Sequence, residues 1–177
     1  MKVYEDLLND LKFVDSIIGH MLPDSELEFY LAGGSACILA GYMERATTDF
    51  DIIDIGYGST VGKILNYLQP YDLLDINHAE LSITYKDRAK LLDDFKNVKV
   101  YTLSREDIIA SKIGRHEEKD RIDIDILMNN SNVNLIELCI KETFKNISNM
   151  NRKVRYLKHL AQFNNKYNLN IEVEDNV

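Results

Sequence analysis

Two aspartates separated by a single residue, Asp49 and Asp51, stand at the start of the apolar segment FDIIDI (50–55). On an extended strand, side chains two residues apart point to the same face, roughly 7 Å apart along the backbone. Their carboxylates can therefore converge on a divalent cation, and oxygen ligands of this kind suit Mg²⁺ or Mn²⁺. The alternative is a solvent-facing strand edge. Because the segment is apolar on both faces after Asp51, the pattern favours a metal site.

A Gly-Gly-Ser turn, Gly33 to Ser35, precedes this pair, with thirteen residues between Ser35 and Asp49. It joins the predicted strand LEFYLA (27–32) to a predicted apolar helix. Glycine permits positive φ and lets a phosphate approach the backbone, and a helix N-terminus presents unpaired N–H groups. We therefore predict that the Gly33–Gly34 backbone and the Ser35 hydroxyl bind phosphate. The alternative is an ordinary turn in which Ser35 caps the helix.

Composition narrows the class of protein. The chain has 177 residues, a formal net charge of −8 and ordinary apolar and charged fractions, which suit a globular α/β protein. The charge argues against broad electrostatic binding of nucleic acid. No apolar run approaches the roughly 18 to 20 residues that span a bilayer, and no signal peptide is recognisable, so we predict a cytoplasmic protein with no membrane partner. Cys37 and Cys139 are predicted to be buried, reduced thiols.

Helices and strands that must position these groups follow from hydrophobic periodicity. Predicted strands lie at 27–32, 50–55, 73–76, 81–85 and 98–103, and predicted helices lie at 3–20, 60–69, 135–147 and 150–168. Ser104, followed by acidic residues in the first turn, predicts the start of a further helix.

Charged residues of the second half suggest a further part of the site. Lys112, Arg115 or His116, Lys119 and Asp123 would share one face of a continuous helix, where the alternative is a solvent-exposed face with ion pairs along it. The segment RIDIDIL (121–127) alternates strictly, and its local pattern by itself predicts a strand. In that case Asp123 and Asp125 would form a second acidic pair on one face.

The run GGSACILAGYMERATTDFDI (33–52) resembles the nucleotidyltransferase (DNA polymerase β-like) superfamily, in which a Gly-Ser turn opens a helix and Asp-x-Asp lies on the next strand. Arg45-x-x-Thr48-Asp49-x-Asp51 looks most like the AbiEii-type branch, which includes many nucleotidyltransferase-like toxins of toxin–antitoxin pairs. The segment 104–123, with Lys112 and the Lys-Asp-x-x-Asp run, resembles the lysine helix and later acids of that branch. The resemblance covers residues 27–128.

The resemblance implies an α/β (α+β) fold over residues 1–128, with a nucleotidyltransferase-type mixed sheet flanked by helices, and a helical C-terminal extension over 129–177. It also implies that RIDIDIL is helical. Lys112 would contact the nucleotide phosphates and Asp120 would be the third acid. Asp123 and Glu80 stay open as alternatives for that acid. Arg45 and Thr48 join the turn as nucleotide-binding residues.

The resulting prediction is a metal-dependent nucleotidyltransferase that moves a nucleoside monophosphate from an NTP to an acceptor hydroxyl on RNA, a protein or a small molecule. Asp49 and Asp51 would hold Mg²⁺ or Mn²⁺, while Lys112 and Asp120 would complete the catalytic group. The AbiEii resemblance adds a toxin-like role, an RNA such as tRNA or a protein as acceptor, and a cognate antitoxin. The alternative is a regulatory module of the same fold that binds a nucleotide or a partner without turnover.

Overall fold

The computed structural model describes residues 1–76 and 79–174. Contacts group the chain into two compact units, Met1–Asp75 with Ala89–Leu103, and Ile76–Arg88 with Ser104–Val177. The predicted boundary between residues 128 and 129 lies inside the second unit and stays a prediction. Neither Cys37 nor Cys139 forms a disulfide, and both are buried, as predicted.

The first unit is built on a five-stranded sheet. Its elements are α1 (Tyr4–Met21), β1 (Leu27–Ala32), α2 (Gly33–Leu39), β2 (Phe50–Asp54), α3 (Ser59–Leu65), β3 (Tyr71–Asp75), β4 (Lys90–Leu92) and β5 (Val98–Thr102). The strand order is β3-β2-β1-β5-β4. β1 pairs antiparallel with β2 and parallel with β5, β2 pairs parallel with β3, and β4 pairs antiparallel with β5. This mixed sheet with flanking helices confirms the predicted fold class.

Alternation along the strands separates the two faces of the sheet. Phe29, Leu31, Phe50, Ile52 and Val100 are fully buried and share one face, because successive side chains of a strand point to opposite sides. Helix α2 packs against β1 and β2, and α1 packs against α2 and α3. The apolar face is thereby covered by helices of the same unit. The other face carries Asp51 of β2, one of the two aspartates predicted to bind metal.

The second unit is helical. Its elements are α4 (Tyr85–Arg88), α5 (Arg105–Arg115), α6 (Glu118–Met128), α7 (Val133–Asn146) and α8 (Met150–Tyr167). Helix α5 contacts α6, α7 and α8, and its residues Ile108, Ile109 and Ile113 are fully buried. Ser104 caps α5 by accepting a hydrogen bond from the Asp107 N–H at 3.1 Å, which confirms the predicted start of this helix.

The segment RIDIDIL forms part of helix α6, as the resemblance implied, so the strand alternative is wrong. Two of its alternating isoleucines are exposed, Ile122 by 56% and Ile126 by 40%, while Asp123 and Ile124 are buried. The alternation is therefore coincidental, and burial follows the helical spacing of Asp120, Asp123 and Leu127.

Two other local predictions are corrected by the structure, and one strand was missed. Residues 81–84 form no strand, and Tyr85 begins α4, because Thr84 bonds Glu142 and Arg88 through its side chain instead of entering a sheet. Strand β4 was not predicted, since three residues show no periodicity. The continuous helix through Lys112 and Asp123 is also wrong: α5 ends at Arg115, where His116 adopts a left-handed conformation with φ 55°.

Candidate functional site

The Asp51 carboxylate lies directly against the backbone of Gly33. Antiparallel pairing places Asp51 opposite Ala32, the last residue of β1, so that the start of α2 faces this side chain. A Cβ on Gly33 would lie 1.7 Å from Asp51 Oδ2, closer than any side chain could stand. Gly33 also has φ +55°, a left-handed conformation that favours glycine. The glycine is therefore needed both for the turn and for the position of the carboxylate.

Ser35 ties the turn to both strands. Its hydroxyl is fully buried, donates to the Ala32 carbonyl at 3.2 Å and accepts from the Asp51 N–H at 3.3 Å. The hydroxyl proton is used in the bond to Ala32, so a phosphate oxygen would have to replace that carbonyl to receive it. The observed contacts give Ser35 a positioning role for Asp51, and its predicted phosphate contact stays a prediction.

Asp49 lies immediately before β2 and is half-buried. Its Oδ1 accepts hydrogen bonds from the hydroxyls of Thr48 at 3.1 Å and Thr47 at 3.4 Å. The two donors restrict the carboxylate to one orientation, which lowers the entropic cost of binding a ligand there. Thr48, predicted to bind nucleotide, is thus seen here as a residue that orients Asp49.

Arg45 and Gly34 meet on the same turn. A Cβ on Gly34 would lie 2.7 Å from Thr47 Oγ1 and 3.3 Å from Arg45 Nη2. The backbone of the turn is therefore approached from one side by a guanidinium and a hydroxyl. The first unit thus brings together all the predicted residues of the metal and phosphate end: Gly33, Gly34, Ser35, Arg45, Thr48, Asp49 and Asp51.

Lys112 lies in the second unit and is 2% exposed. Its Nζ is 2.8 Å from Asp120 Oδ1 and 2.8 Å from Asp123 Oδ2, and both carboxylates are buried. The end of α5 and the start of α6 place these three residues side by side across the break at His116. The two carboxylates compensate the charge of the buried Lys112 ammonium. The contacts also join helix α5 to helix α6.

Asp120 is held ionised by its neighbours. Burial by itself would raise the pKa of Asp120, but the charge and hydrogen bond of Lys112, together with Arg115 at 3.0 Å, hold that pKa below its usual value of 3.8. A general base needs to accept a proton, and a depressed pKa makes Asp120 a weaker one. Its predicted role as the third acid is not tested by these contacts.

Glu80, an alternative third acid, is engaged elsewhere in the second unit. It is 5% exposed, and its Oε1 contacts Arg155 at 2.7 Å and Arg152 at 3.1 Å. Its Oε2 lies where a Cβ on Gly114 would stand, at 1.3 Å. Gly114, near the end of α5, thus gives room to this carboxylate.

Asp72 is an acidic candidate that sequence reasoning missed. Parallel pairing sets it beside Asp51 in the register of β2 and β3, so both side chains point to the same face of the sheet, and Asp72 is exposed. Only strand pairing reveals this neighbour, because no local spacing relates the two residues. Within residues 1–76 and 79–174, no three His, Cys, Asp or Glu side chains converge as a group able to hold a metal ion.

Comparison with known proteins defines the class. The model of a family described as "Nucleotidyltransferase of unknown function (DUF6036)" matches residues 9–171. The chain therefore belongs to this family, and the predicted nucleotidyltransferase superfamily is confirmed at that level. The AbiEii-type branch is not distinguished by this match. No curated protein and no solved structure matches the chain. Among the described residues, no helix is both long and apolar enough to cross a membrane.

Proposed function

We propose that the protein transfers a nucleoside monophosphate from an NTP to an acceptor hydroxyl, with pyrophosphate as the leaving group. The observation that carries this proposal is the contact between Gly33 and the Asp51 carboxylate, in which a Cβ would stand 1.7 Å from Oδ2. A glycine turn at the start of a helix and a carboxylate beside it are two parts that a metal–triphosphate site needs, backbone N–H groups for phosphate and an oxygen ligand for the metal.

Asp49 and Asp51 are the residues that would hold Mg²⁺ or Mn²⁺. Both are half-buried carboxylates, Asp49 is oriented by two threonine hydroxyls, and Asp51 is held by Ser35 through its backbone. Mg²⁺ is commonly bound by one or two carboxylates, with phosphate oxygens of the substrate and water completing its shell, so two protein acids fit such a site. The ion would offset charge that develops on the transferred phosphoryl group.

The turn and its flanking loop would bind the phosphates. The Gly33 and Gly34 backbone would present its N–H groups to the phosphates, and Arg45 brings a permanent positive charge to Gly34. Ser35 and Thr48 support the two aspartates. In this proposal, the glycine backbone and the Arg45 guanidinium bind the phosphates, and the carboxylates of Asp49 and Asp51 bind the metal.

Lys112 and Asp120 enter the proposal through the family resemblance. Lys112 Nζ lies between Asp120 and Asp123, 2.8 Å from each, so a contact with the triphosphate would require exchange of one carboxylate for a phosphate oxygen. Asp120 would then keep its contact with Arg115 at 3.0 Å, and it is the acid that would act on the acceptor hydroxyl. We propose this exchange as the way in which nucleotide binding prepares the third acid. Asp123 and Asp72 are the other acids to test.

We propose that the acceptor is RNA, such as a tRNA end, or a protein. We also propose that the protein has a toxin-like role and that a cognate antitoxin inhibits it. The support is the likeness of Arg45-x-x-Thr48-Asp49-x-Asp51 and of the lysine segment to the AbiEii-type branch. A small neighbouring gene that encodes a protein able to block the activity would support this role. A small molecule with a hydroxyl group is the third possible acceptor.

Transfer of label from α-³²P NTPs to cellular RNA, to protein and to small molecules tests the proposal directly. We expect Mg²⁺- or Mn²⁺-dependent labelling that Asp51→Asn reduces at least a hundredfold, since the metal site would lose its charge. Asp54→Asn is the matched control on the same strand. Its Oδ1 only accepts N–H bonds from Gly56 and Tyr57, which an asparagine oxygen can still accept. Equal transfer by wild type and Asp51→Asn would contradict the mechanism.

A non-catalytic binding module of the same fold is the second candidate, favoured by one observation. Lys112, Asp120 and Asp123 satisfy one another, so the acids left for the metal are Asp49 and Asp51 and the exposed Asp72 beside them. Calorimetric titration with ATP and Mg²⁺ separates the candidates. Binding that Asp51→Asn abolishes, with no transfer to any acceptor, would support the module, whereas binding with transfer supports the enzyme.

A further inference from the structure

A cavity of about 250 Å³ lies between helices α6 and α8, wholly within the second unit. Ile124 and Phe163 contribute apolar surface, while His116, Arg121 and Gln162 contribute polar groups. The volume is somewhat below the roughly 300–1,000 Å³ of pockets for drug-sized ligands, so the ligand must be small. No residue of the proposed metal and phosphate end lines this cavity.

The cavity holds polar atoms that the fold leaves unused. His116 Nδ1 is buried and has no hydrogen-bond partner among the described residues. The neighbouring ring of His159 stacks on it at 4.7 Å, but its own Nδ1 is within 3.1 Å of two carbonyls at the end of α5. A buried polar atom without a partner costs free energy, and a ligand atom at this place would remove that cost.

The electrostatics of the cavity favour an anion. Arg121 has no carboxylate partner in the part of the chain that the structure describes, although the protein as a whole carries a net charge of −8. Lys166 also lines the cavity and is neutralised by Asp125 at 2.6 Å. Burial, His159 and Arg121 together lower the pKa of His116, and the charge of Asp120 opposes them only in part.

The apolar part of the cavity suits a ligand with a planar ring. Phe163 and Tyr167 lie with their ring centroids 4.9 Å apart, and Ile124 adds a flat aliphatic surface. Beside them, the Gln162 amide offers a donor and an acceptor. A planar heterocycle can pack on the apolar side and hydrogen-bond this amide, while an attached phosphate reaches the guanidinium of Arg121.

We propose that the α6–α8 cavity binds a nucleoside monophosphate unit, with its base against Phe163 and Tyr167 and its phosphate at Arg121 and His116. The unit could be a free nucleotide or the terminal nucleotide of an RNA strand, and both present the same chemistry. The inference rests on the geometry of α6 and α8 and is independent of the proposed transfer reaction.

Binding is tested by titrating Asp51→Asn protein in EDTA, which removes any contribution of the metal site, with AMP, adenosine and inorganic phosphate. We expect AMP to bind more tightly than either part, with shifts of the Gln162 side-chain amide resonances in NMR spectra. Arg121→Gln should weaken AMP binding about tenfold, the typical effect of one charge-assisted hydrogen bond. Lys119→Gln is the control: it removes an exposed charge from the same helix, outside the cavity.

A short oligoadenylate distinguishes the two sources of the ligand. Tighter binding of the oligonucleotide than of AMP assigns the cavity to an RNA end, and the reverse order assigns it to a free nucleotide. The proposal is overturned if AMP binds no better than inorganic phosphate, or if Arg121→Gln and Lys119→Gln behave alike. Because the titration uses Asp51→Asn and no metal, failure of the transfer reaction leaves this result unaffected.

Discussion

At the scale of single residues, the candidate site contains two glycines whose Cβ positions would meet polar side chains. Gly33 gives room to the Asp51 carboxylate, and Gly34 gives room to Thr47 and Arg45. A second group of residues acts by charge, since Lys112 is buried between two carboxylates. The two groups lead to separate predictions. The glycines leave space for neighbouring side chains, whereas Lys112 compensates the charge of two buried carboxylates.

Gly33→Ala is expected to abolish metal-dependent nucleotide binding, because its Cβ would occupy the place of Asp51 Oδ2. The positive φ alone costs about 1–2 kcal/mol for an alanine. Gly41→Ala is a matched control, since Gly41 also has positive φ, +69°, but no atom stands within 4 Å of its Cβ position. Urea unfolding and ATP titration of both variants separate strain from displacement of the carboxylate. Equal binding by the two variants would refute the role assigned to the Gly33 contact.

Lys112→Met should lower the free energy of unfolding by about 3–5 kcal/mol, because it leaves buried Asp120 and Asp123 without their cation. Lys141→Met removes a lysine from an exposed pair with Glu137 and should change stability little. Chemical denaturation of the two variants checks the difference. A similar small effect in both would mean that the buried trio contributes no more than a surface pair.

The same trio predicts a dependence of stability on pH. The pKa of Asp120 is depressed in the folded protein, so the stability it contributes is present above its ordinary pKa of 3.8 and is lost as pH falls through the lower folded value. We expect the difference in unfolding free energy between wild type and Asp120→Asn to be constant above about pH 5 and to shrink in more acid solution. A difference that grows on acidification would show that the pKa is raised instead.

At the scale of elements, side chains fix the ends of helices and strands. Asp15 of α1 is buried and accepts hydrogen bonds from the N–H groups of Lys96, Asn97 and Val98 at 3.2, 2.7 and 3.0 Å, just where β5 begins. The carboxylate thus satisfies a row of three successive backbone donors. This contact positions the central parallel pair β1–β5 against α1.

Asp15→Asn is expected to reduce the unfolding free energy by about 1.5–3 kcal/mol, since the amide loses charge-assisted bonds and turns a donor toward other donors. Asp24→Asn, at an exposed turn position, serves as the control. Thermal denaturation monitored by circular dichroism measures both. A change no larger than that of the control would show that β5 starts correctly without the carboxylate.

At the scale of the whole molecule, the protein is acidic, with a formal net charge of −8 and an isoelectric point near 5.0. Neutralisation of many nucleic-acid phosphates requires a basic surface, so an RNA acceptor would have to be bound through few contacts. The α6–α8 cavity, proposed above to bind a nucleotide unit at Arg121, is one place of this kind. The overall charge therefore limits the mode of recognition without limiting the chemistry at Asp49 and Asp51.

We expect weak binding of duplex DNA of arbitrary sequence, with no measurable anisotropy change at micromolar protein in roughly 0.15 M salt. If an RNA acceptor is found, its binding should fall only modestly between low and physiological salt, because a small number of phosphates is neutralised. Fluorescence anisotropy over a salt series measures both quantities. A steep salt dependence would indicate an extended basic surface and contradict this expectation.

Sequence by itself determined the elements with strong local periodicity and the residues of the turn. Helix α1, strands β1, β2 and β5, and helices α7 and α8 follow from apolar spacing, and the Ser104 cap follows from its side chain. The order of Gly-Gly-Ser and Asp-x-Asp was enough to predict the superfamily that the family match supports. These features are local, so their physical causes lie within a few residues of one another.

Only the tertiary structure decided what the local pattern left ambiguous. RIDIDIL is helical because Asp123, and Asp120 just before it, are buried in contact with Lys112. Residues 81–84 remain irregular because their hydroxyls bond charged side chains. The contact of Asp51 with Gly33 depends on antiparallel register, and the neighbour Asp72 depends on parallel pairing. Pairing across a sheet and compensation of buried charge act between distant residues, so no spacing along the chain could predict them.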